Sequence, residues 1–442
     1  MSRTCCMQNN NVKSVSIVRT DTCTGRMNEQ LTYGYDAAGN LNYRTNNALV
    51  QNFAVNSDNE LTTNINGGTL TVVGTTTSAA TSVTINGTNA LRYNDATFAA
   101  TNMPLTTTYT AVASDSYGRW ATNTVSVNLA RNITFQYDLN GNLTNDGLRS
   151  FAYDDENQLI QVWVPGQWSS SFSYDGKMRR RIRQEYTWTG SAWLQTNAVY
   201  YVYDGNLVIQ ERDINNLPTT TYTRGKDLSG SLEGAGGIGG LLARSDYTLS
   251  AVASGEGGSF YHCDGNGNIM MLINSDQAIV AKYLYDAFGN VLSASGLLAN
   301  ANLYRFSSKE AHQNSGLVYY LYRYYDPNLQ RWPNRDPIQE NGGINLYEFE
   351  GNSPNYSIDA WGFGIWFPKP GPCTMPFACG GPKVEGHCTL VAVDIYKDCK
   401  GNCVQKVCRY ECVSAHYSDE IGQTYKTTRS PGCDHVCPII DF

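Results

Sequence analysis

The sequence predicts an all-β protein built from stacked antiparallel β-hairpins, and three observations carry that expectation. A short unit of the form Tyr-Asp-x-x-Gly-Asn-Leu recurs along the chain, charged residues make up only 16% of it, and 30 tyrosines and 41 glycines stand in their place. Aromatic residues favour strands while glycine, asparagine and aspartate favour turns, so the composition suits sheets joined by tight reversals and leaves little room for helix. A net charge of -7 with a pI near 5.3 gives no general attraction to nucleic acid or to an acidic membrane surface. No eighteen apolar residues run together, so no helical bilayer span is predicted.

Residues 1–30 hold Cys5, Cys6 and Cys23 in a polar segment that begins without a strand pattern and has no apolar core of a secretory signal. They read as the start of a chain that enters partway through a longer repeat array.

The repeats occupy residues 31–65 and 131–303. Tyr35-Asp36-Ala-Ala-Gly39-Asn40-Leu41 returns as Tyr137-Asp138-Leu-Asn-Gly141-Asn142-Leu143, as Tyr203-Asp204-Gly205-Asn206-Leu207, and as Tyr285-Asp286-Ala-Phe-Gly289-Asn290-Val291. Phe53 to Leu61 aligns with Phe151 to Leu159 as a variant, and further copies stand at Tyr174-Asp175-Gly176 and His262 to Ile269. The aspartate accepts local backbone hydrogen bonds, and glycine and asparagine tolerate the positive φ of a tight turn. One hairpin cannot bury its apolar face alone, so successive hairpins must stack into a sheet. The expectation is one continuous sheet over 31–61 and 131–359, with an insert projecting from it.

That insert spans residues 66–130. Leu70 to Val73, Val83 to Gly87, Tyr109 to Ala113 and Thr124 to Leu129 alternate like short strands with turn signals between them, which predicts a small β-sandwich. It resembles the immunoglobulin-like accessory modules of bacterial surface proteins, which implies a spacer. Sugar stacking through Phe98, Tyr109, Tyr117 and Trp120 is the sharper alternative, against core packing of the same rings.

Two motifs in the second repeat block have simpler readings than their spelling suggests. Gly234-Ala-Gly236-Gly-Ile-Gly239 matches G-x-G-x-x-G, but no βαβ alternation surrounds it to set a helix N-terminus at a pyrophosphate, so no cofactor is assigned. In the run Arg179-Arg180-Arg181-Ile182-Arg183, strand alternation puts Arg179, Arg181 and Arg183 on one face, which reads as solvated rather than as a polyanion site.

Residues 304–362 organise the chain. Tyr304-Arg305-Phe306-Ser307-Ser308-Lys309-Glu310 is followed by Leu317-Val-Tyr-Tyr-Leu-Tyr-Arg-Tyr-Tyr325, which reads as one long strand ended by Asp326-Pro327-Asn328. Arg331-Trp332, Arg335-Asp336-Pro337 and Gly342-Gly343 come next, and the segment ends on Asp359-Ala360-Trp361-Gly362. Over about sixty residues this wording resembles the core that closes the rearrangement-hotspot (RHS) or YD-repeat proteins, and the glycine-rich stretch from Thr223 to Arg244 resembles a recurring bend of the same family, where backbone crosses close to backbone. The resemblance implies a spiralling sheet that forms all or part of a hollow shell around an enclosed polypeptide. A plain β-solenoid or open sheet without a cavity is the rival.

The resemblance also implies a site. Arg335-Asp336-Pro337-Ile338-Gln339 is similar to the family's Arg-Asp-Pro-x-Gly, and Asp359-Ala360-Trp361-Gly362 to its second Asp-Pro-x-Gly. In the family these paired aspartates are associated with self-cleavage that releases the chain after the core. One carboxyl, kept protonated by its neighbour's charge, acts as acid while the other activates water, and Arg335 orients or ionises one of them. Cleavage is placed at Gly362-Phe363. Gln339 and Ala360 depart from the pattern, and the alternative is that Asp336 and Asp359 only cap turns in a plug.

Beyond Gly362 the chemistry changes. Nine of the 13 cysteines fall in residues 363–442: Cys373, Cys379, Cys388, Cys399, Cys403, Cys408, Cys412, Cys433 and Cys437. Such density in a short segment points to a disulfide scaffold. Zinc is the rival, with His387, His416 and His435 nearby, but no C-x-x-C knuckle occurs, and no metal or cofactor is assigned. In RHS proteins this segment is variable cargo, often a toxin. His387, Asp394, Glu411, His416 and His435 allow several imagined active sites, and spacing selects none. The predicted function is an RHS-type shell, secreted or at the cell surface, that encloses and presents its own C-terminal segment after aspartyl self-cleavage. The alternative is a structural or adhesive surface protein without catalysis, with carbohydrate or another cell-surface molecule as its partner.

Overall fold

In the repeat units the aspartate folds the reversal from within. Asp36 Oδ1 accepts the N–H groups of Ala38 (2.9 Å) and Asn40 (2.8 Å), Asn40 Nδ2 donates to Asp36 Oδ2 (3.0 Å), and Gly39 takes φ +81° between them. The same closure recurs at Asp138/Asn142, Asp264/Asn268 and Asp286/Asn290. Tyr203 to Leu207 departs from it, since strands Trp193–Asp204 and Leu207–Arg212 meet across the two residues Gly205 and Asn206. In the variant units, Asn59 (φ +63°) and Asn157 (φ +61°) supply the left-handed residue.

The computed structural model describes residues 30–363, apart from 77, 95, 128, 248–256 and 356, together with the backbone of strands within 4–29 and 367–441. The chain is all-β, and no α-helix occurs among the described residues; only the 3-10 turns Phe306–Ser308, Gln339–Gly342 and Glu350–Asn352 break the pattern. A seven-stranded antiparallel sheet runs Thr4–Gln8, Ser14–Asp21, Thr24–Tyr35, Leu41–Asn46, Leu49–Val55, Leu61–Gly68 and then Asn132–Thr134. A fourteen-stranded antiparallel sheet follows, every strand beside its sequence neighbour, from Gln136–Tyr137 to Val291–Ser295. Strands such as Leu49–Val55 bury alternate residues, as a pleat with one dry face requires.

Two corrections follow for the expected single sheet. It divides at Phe135, which is buried and whose N–H is taken by Thr62 O (3.0 Å), so the first sheet holds this residue and the second begins after it. Residues 304–359 do not extend either sheet. The expected long strand 317–325 is two short ones, Val318–Tyr319 and Tyr324–Tyr325, folded back on each other around Leu321 at φ +80°. β propensity along Leu317 to Tyr325 reported an aromatic core rather than an extended rod.

That core segment lies across the row of hairpin turns and reads their carbonyls one after another. Asn352 Nδ2 donates to Gly39 O (2.7 Å), Asn345 Nδ2 to Ala38 O (3.0 Å), Tyr347 Oη to Gly141 O (2.8 Å) and Asn334 Nδ2 to Asn157 O (3.1 Å). Ser308 Oγ donates to Gly267 O (2.7 Å) and Tyr325 Oη to Phe288 O (2.9 Å). Beneath these contacts Tyr320, Tyr325, Trp332 and Phe349 are all fully buried, with the Tyr325 and Phe349 rings stacked at 3.6 Å. Aromatic packing supplies the apolar burial and the polar rim supplies the register.

Arg183 corrects the solvated reading given to Arg179, Arg181 and Arg183, and Arg180 enters the core with it. Arg180 is fully buried under the rings of Tyr319 (4.4 Å) and Tyr201 (4.5 Å) and paired with Glu310 of the core segment, while Arg183 is buried against Glu310 (3.4 Å). A register shift where Tyr174 pairs with Arg180 moves the inward face onto these two residues, leaving Arg181 exposed.

The insert folds as two small sheets, Leu91–Arg92, Thr97–Met103, Leu70–Thr75 and Trp120–Ser126, Thr108–Ser114, Ser82–Ile85, Thr88–Asn89, around Val83, Ile85, Phe98, Ala100, Met103 and Tyr109. Phe98 and Tyr109 therefore belong to the core, as the packing alternative expects, whereas Tyr117 and Trp120 are exposed.

Residues Pro368–Phe442 form a second unit with a four-stranded antiparallel sheet, Thr424–Pro431, Cys403–Ser414, Gly386–Lys397 and Ile440–Asp441. The disulfide and zinc expectations for its cysteines and histidines, and the side chains of Cys5, Cys6 and Cys23, lie outside the described residues.

Candidate active site

The last residues of the core are held by an aspartate that caps its own exit. Asp359 Oδ1 accepts the N–H groups of Trp361 (3.1 Å), Gly362 (2.6 Å) and Phe363 (3.1 Å), and the Asp359 N–H is taken by Glu350 Oε1 (2.9 Å). Gly362 stands at φ +86°, where an L side chain is strained, and a Cβ on it would make a tight contact 3.2 Å from the Arg323 amide nitrogen. Tyr322 donates its N–H to Trp361 O (3.2 Å) and stacks its ring on Phe363 at 4.1 Å. The Gly362-Phe363 peptide is thus clamped on both sides.

Arg323 joins that peptide to the first aspartate. Its Nε donates to Gly362 O, its Nη1 to Leu346 O (3.2 Å) and its Nη2 to Asp336 Oδ2 (2.6 Å). Asp359 Oδ2 lies 3.9 Å from the same Nη2, so the two carboxylate oxygens are at most about 6.5 Å apart, the sum of the two distances to that nitrogen. Arg323, Asp336 and Asp359 are all buried, and the guanidinium packs over Trp332 at 4.2 Å. Burial raises the Asp336 pKa, and the charge of Asp359 adds to it, against the opposing pull of Arg323.

The structure therefore brings Asp336, Asp359, Gly362 and Phe363 together and places Arg335 elsewhere. The Arg335 guanidinium meets Glu60 Oε1 (3.2 Å) and Tyr347 Oη (3.2 Å), tying the core to the Asn56–Glu60 turn. Arg323 takes the place beside the aspartates, and sequence reading missed it. The available signal was a lone cation inside the run Leu317 to Tyr325, where burial obliges an arginine to find carboxylates. Gln339 takes φ +55° and donates its N–H to Asp336 O (2.9 Å), so the turn expected of glycine forms without it.

Lys309 is a second residue not foreseen. Its Nζ donates to Ala360 O (2.7 Å) and to Gly236 O (2.8 Å) and sits over the rings of Tyr320 and Trp361, linking the glycine-rich bend to the segment that carries Asp359. Burial lowers its pKa to about 7 against the upward pull of Asp359. A Cβ on Gly236 would stand 1.9 Å from Ala360 O, which is the close backbone crossing expected of this bend; its conformation is set by Asp227 Oδ2, which accepts the N–H groups of Ala235 (2.7 Å) and Gly237 (3.0 Å).

No protein-family profile matches the chain. Among curated proteins it is similar to the tRNA3(Ser)-specific nuclease WapA of Bacillus spizizenii, 29% identical over 242 residues that make up 53% of this chain and 9% of that protein. It is also similar to double-stranded DNA deaminase toxin A of Burkholderia cenocepacia, 25% identical over 253 residues, 52% of this chain and 17% of that one. The chain thus matches less than a fifth of the length of either relative. A crystal structure of TcdB2-TccC3-Cdc42 aligns with 79% of this chain and 18% of its own at 15% identity and a TM-score of 0.44. The sequence similarities support an RHS-like, toxin-related protein. No helix among the described residues is long and apolar enough to cross a membrane.

Proposed function

We propose that this chain is the closing part of an RHS-type shell that encloses its C-terminal segment and separates it by aspartyl self-cleavage at Gly362-Phe363. The observation that carries the reading is the double grip on that peptide: Arg323 Nε on the Gly362 carbonyl oxygen and Asp359 Oδ1 on the Phe363 N–H, with Asp336 bonded to the same guanidinium. A buried guanidinium aimed at a carbonyl oxygen stabilises the negative charge that grows there when water adds to the carbon. Asp359 is the base that takes the proton of the attacking water. Asp336, with its raised pKa, is the acid of the pair. The Gly362 C–Phe363 N bond breaks, leaving a carboxylate on Gly362 and an amine on Phe363, and the released piece is residues 363–442. The similarity to a nuclease and a deaminase toxin favours an effector-like cargo in that segment over an inert cap.

Intact-mass analysis of the purified full chain tests this. The expected spectrum holds a core fragment ending at Gly362 and an eighty-residue tail beginning at Phe363. Asp336→Asn and Asp359→Asn each keep the chain at full length while leaving the sheet folded. Wild-type protein that stays uncut through prolonged incubation reduces the arrangement to a plug whose aspartates cap turns.

A further inference from the structure

The sandwich insert leaves a seven-residue strand edge that pairs with no further strand among the described residues. Trp120–Ser126 is the outer strand of its sheet, paired only with Thr108–Ser114 among the described residues, and every residue in it is exposed. Beside it, between the two small sheets, a cleft of about 640 Å³ is lined by Val72, Phe98, Tyr109, Ala121, Asn123 and Val125. Protein interiors are close-packed, so a gap of this size inside so small a sandwich marks a side that is not closed within one chain.

The hydrogen-bond alternation says which groups face outward. Asp115 N–H donates to Arg119 O (3.0 Å) and Val127 N–H to Thr107 O (2.8 Å), so odd-numbered residues of this strand bond inward to Thr108–Ser114. The main-chain N–H and C=O groups of Trp120, Thr122, Thr124 and Ser126 therefore point to the open edge. Natural edge strands are usually protected by lysine, proline or a bulge. Trp-Ala-Thr-Asn-Thr-Val-Ser has none of these and no charge.

We propose that a second copy of this chain pairs along this edge, strand Trp120–Ser126 against its counterpart, antiparallel and centred on Asn123. The strand is suited to itself. That register sets Trp120 opposite Ser126 and Thr122 opposite Thr124, so each outward-facing residue exchanges main-chain hydrogen bonds with an outward-facing partner. Threonine pairs with threonine on one face, and Ala121 lies opposite Val125 on the other. A two-fold axis through Asn123 brings the second copy's Ala121, Asn123 and Val125 alongside the cleft, on the face that lines it. The two four-stranded sheets become one of eight strands, and no like charges meet because the strand has no charges.

Sedimentation velocity of the full chain, under reductant so that cysteines cannot cross-link copies, reads the result. Wild-type protein is expected to pass from monomer to dimer as concentration rises. Thr122→Pro with Thr124→Pro removes outward N–H groups only, a place where an edge strand tolerates proline, and is expected to raise the dissociation constant by about tenfold or more. Thr122→Lys with Thr124→Lys keeps the backbone intact and sets lysine against lysine across the pair, with the same expected loss. Unchanged circular dichroism shows that the variants fold. A wild-type chain that remains monomeric at every concentration, or a dimer that survives both double variants, overturns the proposal.

Discussion

Removing the Glu310 carboxylate should unfasten the core segment from the sheet. Glu310 Oε2 is paired with Arg180, its Oε1 accepts the Tyr201 hydroxyl (2.9 Å), and Arg183 approaches the same oxygen at 3.4 Å. Burial would raise this carboxyl, but Arg180 and Arg183 outweigh it and hold the group below its usual range, ionised at neutral pH. Arg180 has no exposed surface, so Glu310→Ala leaves a buried guanidinium with only the Tyr324 hydroxyl (3.0 Å) and aromatic faces around it. Breaking a buried pair from one side costs about 3–5 kcal/mol. With a urea dependence of roughly 3–4 kcal/mol/M for a unit of this size, the unfolding midpoint should fall by ~1 M. Urea titration followed by tryptophan fluorescence measures this. The companion Arg180→Met with Glu310→Leu removes both charges and should recover much of the loss. A single variant that costs under ~1 kcal/mol, or a double variant no more stable than the single, would show that the pair does not hold the core in place.

Two further outcomes follow from the same core. Because the Lys309 pKa falls to about 7 in the folded chain and is near 10.4 when unfolded, the unfolded state binds more protons between those values, so this residue makes stability rise with pH from about 7 toward 9; Lys309→Met should flatten that rise in denaturant midpoints taken at each pH. Trp332→Ala empties a fully buried site ringed by Tyr320, Tyr325 and Phe349 and should cost about 3–5 kcal/mol in the same titration; the proposed self-cleavage should slow with it because Arg323 loses the ring beneath it.

The hairpin array was legible from residue order alone because most of its repeat turns are closed by atoms four residues apart. Asp36 with Asn40, and its counterparts at Asp138 and Asp286, need nothing from the rest of the chain, so their geometry is written locally. The separate sandwich was legible for a similar reason, through strand alternation between Leu70 and Ser126. Residues 304–362 were different. Their polar side chains have partners up to about three hundred residues away, such as Gly39 for Asn352, and propensity has no access to such pairings. Hence Leu317 to Tyr325 spells a strand but folds as a buried reversal, and Arg183 looks solvated but enters the core. Asp336, Asp359, Gly362 and Phe363 were each visible as motif residues. Which cation joins them was decided only in three dimensions, where Arg323 is aimed at Gly362 and Arg335 is drawn away to Glu60 by the turn it docks against. A guanidinium's partner is chosen by distance and burial, and neither quantity is carried by spacing along the chain.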